Sequence, residues 1–373
     1  MKLLNLLAFA LACDAGAPFA APAGQMPPIR TVFIMMFENK DWSDIVGNTN
    51  CSYINSLLPR ASYCEQYYTP PGNHPSEPNY LWLEAGTNFG ISDDNPPAIN
   101  SQKTTNHLVT LLNNAGISWK TYQEGISGTC LPLSIIGTNY DPKHDPFVFF
   151  DDDTGTNDPN YAYGIAHVRP FGELAGDLAS NTVARYNLIT PDLCDDGHDC
   201  PLNQSDWWLS QQLPLILASP AYTNNGAVFI CWDEGLNESD GPIGMIVLSP
   251  LARGGGYHNN IHYDHGSTLR TFQEIFHVGP FLNAAANATD LSDLFGVPQT
   301  ISGLTSAFGD FQLTVSGVIP NHAYVIECST DLVKWTRMTT NLSLSSSFQY
   351  TDGGAFAVPQ RFYRIQPILP AQP

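Results

Sequence analysis

Residues 31–39, TVFIMMFEN, place an uninterrupted run of uncharged, mostly apolar side chains directly before a glutamate and an asparagine. A run of this kind, without alternating polar residues, is typical of a strand that is buried on both faces of a parallel sheet. Ligand sites in such proteins form at the carboxyl ends of the strands, so Glu38 and Asn39 are candidate site residues. Taken alone, the pattern also fits a loop acid or a helix cap at Glu38.

The chain up to about residue 300 repeats this organisation. Short apolar runs, such as RYNLIT at 185–190 and GAVFICW at 226–232, alternate with amphipathic segments such as STLRTFQEIF at 267–276. This alternation predicts an α/β fold with a mostly parallel sheet sandwiched by helices. We therefore expect one main domain over residues 28–300.

The pattern changes near residue 300. Beyond it the chain contains short alternating runs, among them FQLTVSGV at 311–318 and YVIECST at 324–330, separated by turn-forming residues. These runs predict a small all-β, sandwich-like module over residues 306–369. The module has no cluster of ionisable residues, so we expect an accessory domain, and its role stays open.

The charge balance restricts the possible partners. The 373 residues include 35 acidic and 15 basic side chains, a formal net charge of −20. This charge repels nucleic acid and anionic membrane surfaces. It also repels a small anionic substrate, which would need a local positive centre such as a metal ion. No segment after the N-terminus is long and apolar enough for a membrane helix.

The N-terminus predicts export. Lys2 precedes the apolar run LLNLLAFALA and then small residues, a pattern typical of a signal peptide over residues 1–23, with cleavage after Ala23. An alternative is processing before Cys13, which would then carry a lipid. Either reading predicts a secreted, periplasmic or cell-surface protein.

Export changes the interpretation of the eight cysteines. An oxidising compartment favours disulfides between cysteines that lie close in sequence. We therefore predict the pairs Cys51/Cys64 and Cys194/Cys200. The pairing of three further cysteines stays open: Cys130, Cys231 and Cys328.

Residues 73–81, NHPSEPNYL, hold a serine between two prolines. The prolines fix a bend, and the segment that follows can form a helix, so Ser76 would lie at a helix N-terminus, where anions are favoured. A serine there can act as a nucleophile if a metal ion lowers its pKa. The alternative reading is a rigid turn without a chemical role.

Three further motifs follow predicted strands or precede a helix. TPDLCDDGHDC at 190–200 contains Asp192 and His198, CWDEG at 231–235 contains Asp233 and Glu234, and YDHGS at 263–267 contains His265. Adjacent acids at the end of a buried strand are costly unless a cation or hydrogen bonds compensate them. We expect three other histidines and one acidic segment to be exposed at the surface: His74, His258, His262 and residues 151–161.

Together these motifs resemble the phosphoesterase family that includes bacterial phospholipases C and acid phosphatases and is related in fold to alkaline phosphatases. The resemblance covers about residues 29–296. Its carriers are FENKDW at 37–42, HPSEPNYL at 74–81, SWKTYQE at 118–124, KHDPF at 143–147, SDWWL at 205–209 and the three motifs above, extended to YDHGSTLRTFQEIF.

The resemblance implies roles for the candidate residues. Ser76 would be both nucleophile and metal ligand, Asn79 would donate to a phosphoryl oxygen, and His198 and His265 would bind the phosphoryl group or a second metal. Asp192 and His144 are additional metal-site candidates. The six positions from Asp192 to His198 exceed the spacing in two-metal relatives, so the number of metals stays open. The remaining metal ligands would be Glu38, Asn39, Asp233 and Glu234.

The expected function is hydrolysis of phosphate monoesters by a secreted, metal-dependent enzyme of acid-phosphatase type, through a phosphoserine intermediate. One alternative is a phospholipase C acting on phosphatidylcholine-like diesters, and another is a non-catalytic surface-binding protein. A sulfatase is disfavoured because Tyr80 stands where those enzymes need arginine. The substrate would be a small phosphate ester or a phospholipid headgroup. Oxygen and histidine ligands admit calcium, magnesium, manganese, zinc or iron.

Overall fold

The structure is a computed structural model that describes residues 26–296, 300–305, 311–318, 323–358 and 360–367. The predicted signal peptide, with Cys13, lies outside the described residues. The domain boundaries given above remain predictions.

The α-helices are α1 (Trp42–Ile45), α2 (Ser52–Leu57), α3 (Ser76–Ala85), α4 (Pro97–Asn100), α5 (Leu108–Asn114), α6 (Asp151–Thr154), α7 (Ala162–His167), α8 (Leu174–Ser180), α9 (Leu202–Leu217), α10 (Pro220–Thr223) and α11 (His265–Phe276). The strands are β1 (Thr31–Phe37), β2 (Ser62–Cys64), β3 (Tyr67–Tyr68), β4 (Trp119–Gln123), β5 (Val168–Pro170), β6 (Tyr186–Thr190), β7 (Gly226–Trp232), β8 (Met245–Leu248), β9 (Tyr257–Asn259), β10 (Tyr263–Asp264), β11 (Thr300–Thr305), β12 (Phe311–Ser316), β13 (Ala323–Ser329), β14 (Thr336–Leu342), β15 (Ser347–Asp352) and β16 (Phe362–Pro367).

The main sheet has eight strands in the order β5-β4-β6-β1-β7-β8-β2-β9. Every neighbouring pair is parallel except the two that involve β8. Strands β1 and β7 lie side by side in the middle, with Phe37 opposite Trp232. Their apolar residues are buried because helices cover both faces, which is why the sequence shows no polar alternation.

The sheet register shows which helices cover which face. Phe229 of β7 pairs with Ile34 and therefore points to the opposite face from Phe37, three residues further along β1. Phe272 of α11 contacts Phe229, whereas Trp208 of α9 contacts Phe37. Helices α9 and α11 thus cover opposite faces, and the predicted mostly parallel sheet sandwiched by helices is confirmed.

The C-terminal part forms two separate antiparallel sheets, β11-β12-β15 and β14-β13-β16. Val315 of the first sheet and Tyr324 of the second share a small buried apolar cluster. Two sheets that bury a common apolar layer match the predicted all-β sandwich.

Three predictions are wrong: the surface loop at residues 151–161, the Cys51–Cys64 disulfide and the exposure of His74. Residues 151–161 are not simply a surface loop, because they begin with α6, in which Asp153 and Thr154 are buried. Cys51 and Cys64 are not disulfide-bonded. They lie in different parts of the core: Cys51 lies near Asp206 of α9, whereas the Cys64 thiol lies 4.0 Å from the Met245 carbonyl of β8. The other predicted pair, Cys194–Cys200, forms a disulfide.

Within the described residues, no helix has both the length and the hydropathy to cross a bilayer. His258 and His262 are exposed, as expected. His74 is not, since only 15% of its side chain is accessible and both ring nitrogens contact carboxylates.

Candidate active site

The candidate site is built where β1, β6 and β7 end. The Asp233 N–H donates to the Phe37 carbonyl, and the Glu38 N–H donates to the Asp196 carbonyl, both at 3.0 Å. These bonds continue the strand pairing by one residue and add the loop that follows β6. Parallel strands end at one edge of a sheet, so acids distant in sequence come together there.

Asn39 connects the end of β1 to the two acids that follow β7. Its backbone adopts a positive φ of 42°, which turns the chain back over the end of the strand. Its N–H donates to Asp233 Oδ1 at 3.0 Å, and its side-chain amide donates to Glu234 Oε1 at 2.7 Å. The structure thus brings Glu38, Asn39, Asp233 and Glu234 together.

Ser76 is the first residue of α3 and is 2% exposed. Its hydroxyl donates to Glu38 Oε2 at 3.1 Å. One helical turn later, Tyr80 donates to the other oxygen, Glu38 Oε1, at 2.6 Å. The bend before α3 is held by His74, whose Nδ1 lies 2.5 Å from Glu234 Oε2. The serine therefore sits against the acidic cluster at a helix N-terminus.

His144 lies on the other side of Glu38. Its ring stacks on Tyr80 with 5.3 Å between centroids. His144 Nε2 is 3.3 Å from Glu38 Oε1, and Nδ1 is 3.3 Å from Asp196 Oδ2. The structure thus brings His144 into the cluster, together with Asp196, which the sequence analysis did not select.

The electrostatics of the cluster favour a bound cation. Burial raises the pKa of Glu38 well above its usual range, and repulsion from Asp233 and Asp196 adds to this shift. Burial also raises the pKa of Asp196, and burial together with Asp233 raises that of Glu234 to about 7. Burial and the neighbouring Lys143 lower the pKa of His144 to about 3. Its imidazole is therefore neutral, the form that binds metals.

Three buried polar atoms in this cluster make no hydrogen bond within the described structure: Asp233 Oδ2, Asp196 Oδ2 and His144 Nε2. Unsatisfied buried polar atoms are rare and costly, and a bound cation can satisfy such atoms. Glu38, His144 and His198 also present ligand atoms within 4.8 Å of one another. The residues present therefore fit a divalent cation.

His198 lies in the loop closed by Cys194 and Cys200. Its backbone N–H donates to Asp196 Oδ1 at 2.7 Å. Its Nδ1 lies 2.7 Å from Asp199 Oδ1, and its Nε2 lies 3.2 Å from Lys143 Nζ. With 31% of its side chain accessible, His198 can meet a ligand that comes from solvent.

A cavity of about 370 Å³ lies over Ser76. Two lysines, Lys40 and Lys143, line it. Lys143 is paired with Asp94 at 3.2 Å, whereas Lys40 donates to the carbonyls of Asn39 and Gly197 and forms no ion pair with a described residue. Two lysines therefore bring positive charge to the cavity, whose lining also holds three acids, Asp94 among them. The lining also includes Asn39, Pro75, His198, Glu234, Leu236, Asn237 and Glu238.

Glu38, Asp233 and His144 lie in the buried cluster beneath Ser76 and do not line the cavity, and three further predicted site residues do not line it either. His265 is fully buried, with Nε2 2.6 Å from the Asp233 carbonyl and Nδ1 3.1 Å from the Tyr67 hydroxyl. The Asn79 amide donates to the Pro75 carbonyl at 3.2 Å and contacts Glu234 at 3.4 Å. The polar atoms of both side chains are therefore engaged by other residues of the protein, and both side chains contact the residues that form the site.

Asp192 belongs to a different cluster. Its Oδ1 accepts the N–H groups of Cys194 and Asp195, and its own N–H donates to Glu124. Four residues later in the same loop, Asp196 holds the position beside Glu38 and His144. The sequence motif contains several acids, and only the loop geometry distinguishes them.

Sequence reasoning did not select four residues of the site: Tyr80, Asp196, Lys143 and Lys40. Tyr80 had a usable signal, since it lies four residues after Ser76 and so faces the same side of the helix. Lys40 and Lys143 had weaker signals, although each lies inside a quoted motif, FENKDW or KHDPF.

This chain is similar to several known proteins. The Phosphoesterase family matches residues 49–279. A phosphatidylinositol-3-phosphatase of Mycobacterium tuberculosis is 29% identical over 74% of this chain and 85% of its own length. A probable acid phosphatase of Kluyveromyces lactis is 28% identical over 70% of this chain, and the match spans only 64% of the yeast protein.

Among solved structures, a protein of the alkaline phosphatase superfamily from Vibrio parahaemolyticus aligns with a TM-score of 0.48 and 8% identity. The alignment covers 86% of this chain and 84% of that one. The family match spans more than half of the chain and includes the segment that carries Ser76, Asp233 and His265. The chain therefore belongs to the phosphoesterase family and is a hydrolase of phosphoric ester bonds.

Proposed function

We propose that this protein is an exported phosphomonoesterase of acid-phosphatase type that requires a divalent cation and forms a phosphoserine intermediate at Ser76. The observation that carries the proposal is the 3.1 Å contact between Ser76 Oγ and Glu38 Oε2, in the buried acidic cluster beside the cavity. A nucleophile in contact with a candidate cation site is the arrangement that phosphoryl transfer to serine requires.

The cation would be held by the carboxylate and amide groups of the cluster, with Ser76 Oγ as a further ligand and His144 and His198 within reach. When bound, it would lower the pKa of the Ser76 hydroxyl and neutralise charge on the phosphoryl oxygens. Hard oxygen ligands mixed with imidazole leave calcium, magnesium, manganese, zinc and iron as candidates. The proposed ligands of the cluster are Glu38, Asn39, Asp233 and Glu234.

The chain's own residues orient the reacting groups. The N-terminus of α3 directs a partial positive charge toward the phosphoryl group. Glu38 and Tyr80 fix the position of the Ser76 hydroxyl, since Tyr80 anchors the carboxylate that the serine contacts. Asn79 and His265 act as positioning residues, which hold Glu234 and the Asp233 backbone in place.

His198 is the proposed general acid. It is accessible, it lines the cavity, and Asp199 Oδ1, 2.7 Å from Nδ1, orients its ring. It would protonate the oxygen of the leaving alcohol as Ser76 attacks phosphorus, and the Ser76 proton would pass to Glu38, which accepts the hydroxyl hydrogen bond. A water molecule would then lose a proton to His198 and attack the phosphoseryl group. Inorganic phosphate leaves, and Glu38 returns the proton to the serine oxygen.

Lys40 and Lys143 support a monoester rather than a diester substrate. A phosphate monoester carries up to two negative charges and a diester carries one, so additional local cations favour the monoester. The Lys40 ammonium donates to backbone carbonyls and has no ion-pair partner in the described structure, so its charge is not paired with an acid. The names of the two relatives, an acid phosphatase and a phosphatidylinositol-3-phosphatase, agree with this preference.

Export is supported by the N-terminal sequence pattern and by the Cys194–Cys200 disulfide, since disulfides persist in oxidising compartments.

The experiment is a hydrolysis assay with p-nitrophenyl phosphate and, in parallel, phosphatidylcholine and a phosphodiester analogue. We expect turnover of the monoester that is lost in Ser76→Ala and after chelation, and restored by a divalent cation. Ser180→Ala is the control, because Ser180 is exposed at the end of α8, which precedes β6 at the opposite sheet edge. Undiminished turnover in Ser76→Ala would refute the mechanism, and preference for phosphatidylcholine would indicate a phospholipase C.

A further inference from the structure

A second cluster of potential metal ligands lies around His107, the residue before α5. Its ring is fully buried and stacks on Phe150 with 3.9 Å between centroids. Asp152 and Asp153 of α6 present carboxylate oxygens within 4.8 Å of a ring nitrogen and of each other. None of these residues lines the active-site cavity.

Four donor atoms converge on one side of the imidazole. His107 Nε2 lies 3.1 Å from Asp152 Oδ1 and 2.9 Å from Thr110 Oγ1. Asp153 supplies the remaining oxygen. With bonds of about 2.1 Å, ligands of a tetrahedral metal site are about 3.4 Å apart. The oxygens at 2.9 and 3.1 Å from Nε2 are therefore near the ligand spacing of a small cation, and the Asp153 oxygen lies within 4.8 Å of the His107 and Asp152 ligand atoms.

Asp153 points to a missing partner. The residue is 2% exposed, and no described residue donates a hydrogen bond to its carboxylate, whose Oδ2 is buried without a partner. A buried carboxylate in this state is costly, and its closeness to Asp152 adds repulsion. A cation between the two carboxylates would remove both penalties.

The other ring nitrogen of His107 has the partner typical of a metal-bound histidine. Nδ1 lies 3.1 Å from Glu84 Oε1, and the Val109 N–H fixes the same oxygen at 2.8 Å. A carboxylate that accepts the Nδ1 proton orients the ring and leaves Nε2 free to bind a metal. Glu84 is buried at the end of α3.

We propose that His107, Asp152 and Asp153, with Thr110 as a neutral fourth donor, bind a second divalent cation with a structural role. One imidazole and two carboxylates favour a first-row transition ion, Zn²⁺ or Mn²⁺, over Ca²⁺ or Mg²⁺. The cation would join α5, α6 and the end of α3, the helix that carries Ser76. Asp152, with 32% of its side chain accessible, gives the ion a route from solvent.

The alternative to a bound cation is a protonated His107, which would supply the positive charge instead. Burial lowers the pKa of His107, but hydrogen bonds to Asp152 and Glu84 outweigh it and raise the pKa to about 10. A charged imidazole would then compensate the acids. This arrangement leaves Asp153 without a hydrogen bond, which is why we favour the cation.

The test is metal stoichiometry of the full-length protein, stripped by chelation and dialysed against Zn²⁺ or Mn²⁺ alone. We expect Asp153→Asn to bind one equivalent fewer than the wild-type protein and to lose the rise in unfolding temperature that the ion causes. The matched control is Asp158→Asn, which removes the same charge from an exposed aspartate of the same segment. Equal stoichiometry in wild type and Asp153→Asn, for both ions, would overturn the proposal.

A second variant keeps the test decisive if Asp153→Asn does not fold. Glu38→Gln/Asp233→Asn removes two carboxylates from the candidate active site and leaves the His107 cluster unchanged. We expect this variant to retain one equivalent of Zn²⁺ or Mn²⁺ although its phosphatase activity is lost. Complete loss of bound metal would show that the His107 cluster holds none. This readout does not depend on whether the proposed catalytic function is correct.

Discussion

Tyr80 shows how one buried side chain can control a cation that it does not touch. Its hydroxyl donates to Glu38 Oε1 at 2.6 Å, and Glu38 also holds Ser76. We predict that Tyr80→Phe weakens cation affinity by about 10- to 100-fold, the usual effect of removing a hydrogen bond that orients a ligand. Activity measured against cation concentration should shift to higher concentrations and recover at saturation.

Tyr222→Phe is the control for this prediction, because Tyr222 is also a buried tyrosine but belongs to α10, at the far edge of the sheet. A loss of activity in Tyr80→Phe that saturating cation does not restore would show that the hydroxyl acts on the reaction rather than on the ligand.

Glu77 makes a prediction about pH. Burial raises its pKa to about 9, with Asp94 among the neighbours that add repulsion, although Asn100 donates a hydrogen bond that opposes the shift. The folded protein therefore retains a proton that the unfolded chain releases above about pH 4.5, so stability falls as pH rises toward about 9.

Glu77→Gln should remove this contribution, which amounts to at most about 1.4 kcal/mol per pH unit. Urea unfolding with a chelator present, between about pH 5 and pH 8, should give a shallower decline for the variant than for the wild type. Glu65→Gln, at a partly exposed glutamate, is the control. Identical slopes for wild type and Glu77→Gln would contradict a protonated Glu77.

For single residues, the sequence predicted membership of the candidate site better next to strand ends than on helices and loops. Glu38, Asn39, Asp233 and Glu234 follow buried strands directly, so their convergence is a property of parallel sheets. Asp196 could not be separated from Asp192, because both lie in an acidic loop whose path depends on a disulfide and on the Glu38 backbone.

Among the elements, the loop closed by Cys194 and Cys200 makes a clear prediction. It carries Asp196 and His198. The disulfide joins residues six positions apart and so reduces the conformational freedom of this loop in the unfolded chain. We predict that Cys194→Ala/Cys200→Ala lowers the free energy of unfolding by about 2 kcal/mol. It should also lower kcat/KM, since both side chains lose their fixed positions.

Cys130→Ala, at an exposed free cysteine, is the control for both measurements. If the double variant lost stability but kept wild-type kcat/KM, the loop would not position catalytic groups, and His198 would not be the general acid.

The elements also show where sequence patterns stop being informative. The predicted helix after Ser76 is confirmed as α3, and the buried face of α11 is confirmed at Leu269, Phe272 and Ile275. The short helix α6 was not recognised, because its residues DDDT look polar in sequence, and only tertiary contacts with His107 explain why Asp153 is buried.

For the whole molecule, the net charge of −20 and the cations of the cavity oppose each other. Distant acids repel a dianionic substrate, whereas Lys40 and Lys143 attract it at short range. Raising the ionic strength from about 0.01 M to 0.15 M shortens the screening length from about 30 Å to about 8 Å, which weakens the distant repulsion more than the close contacts.

We therefore predict that kcat/KM for a dianionic phosphomonoester rises severalfold over this range of salt. Lys40→Gln should lower kcat/KM at every ionic strength and leave the rise in place. A steady decrease with salt would mean that the substrate responds mainly to the local cations and that the overall charge is irrelevant to catalysis.

The central claim is that Ser76 becomes phosphorylated during turnover, and acid quenching tests it most directly. The enzyme is mixed with p-nitrophenyl phosphate, quenched within one turnover and digested, and the peptide that contains residues 73–81 is examined by mass spectrometry. The account predicts an added phosphoryl group on Ser76 that disappears once substrate is exhausted. Phosphate release without any phosphorylated Ser76 peptide would contradict it.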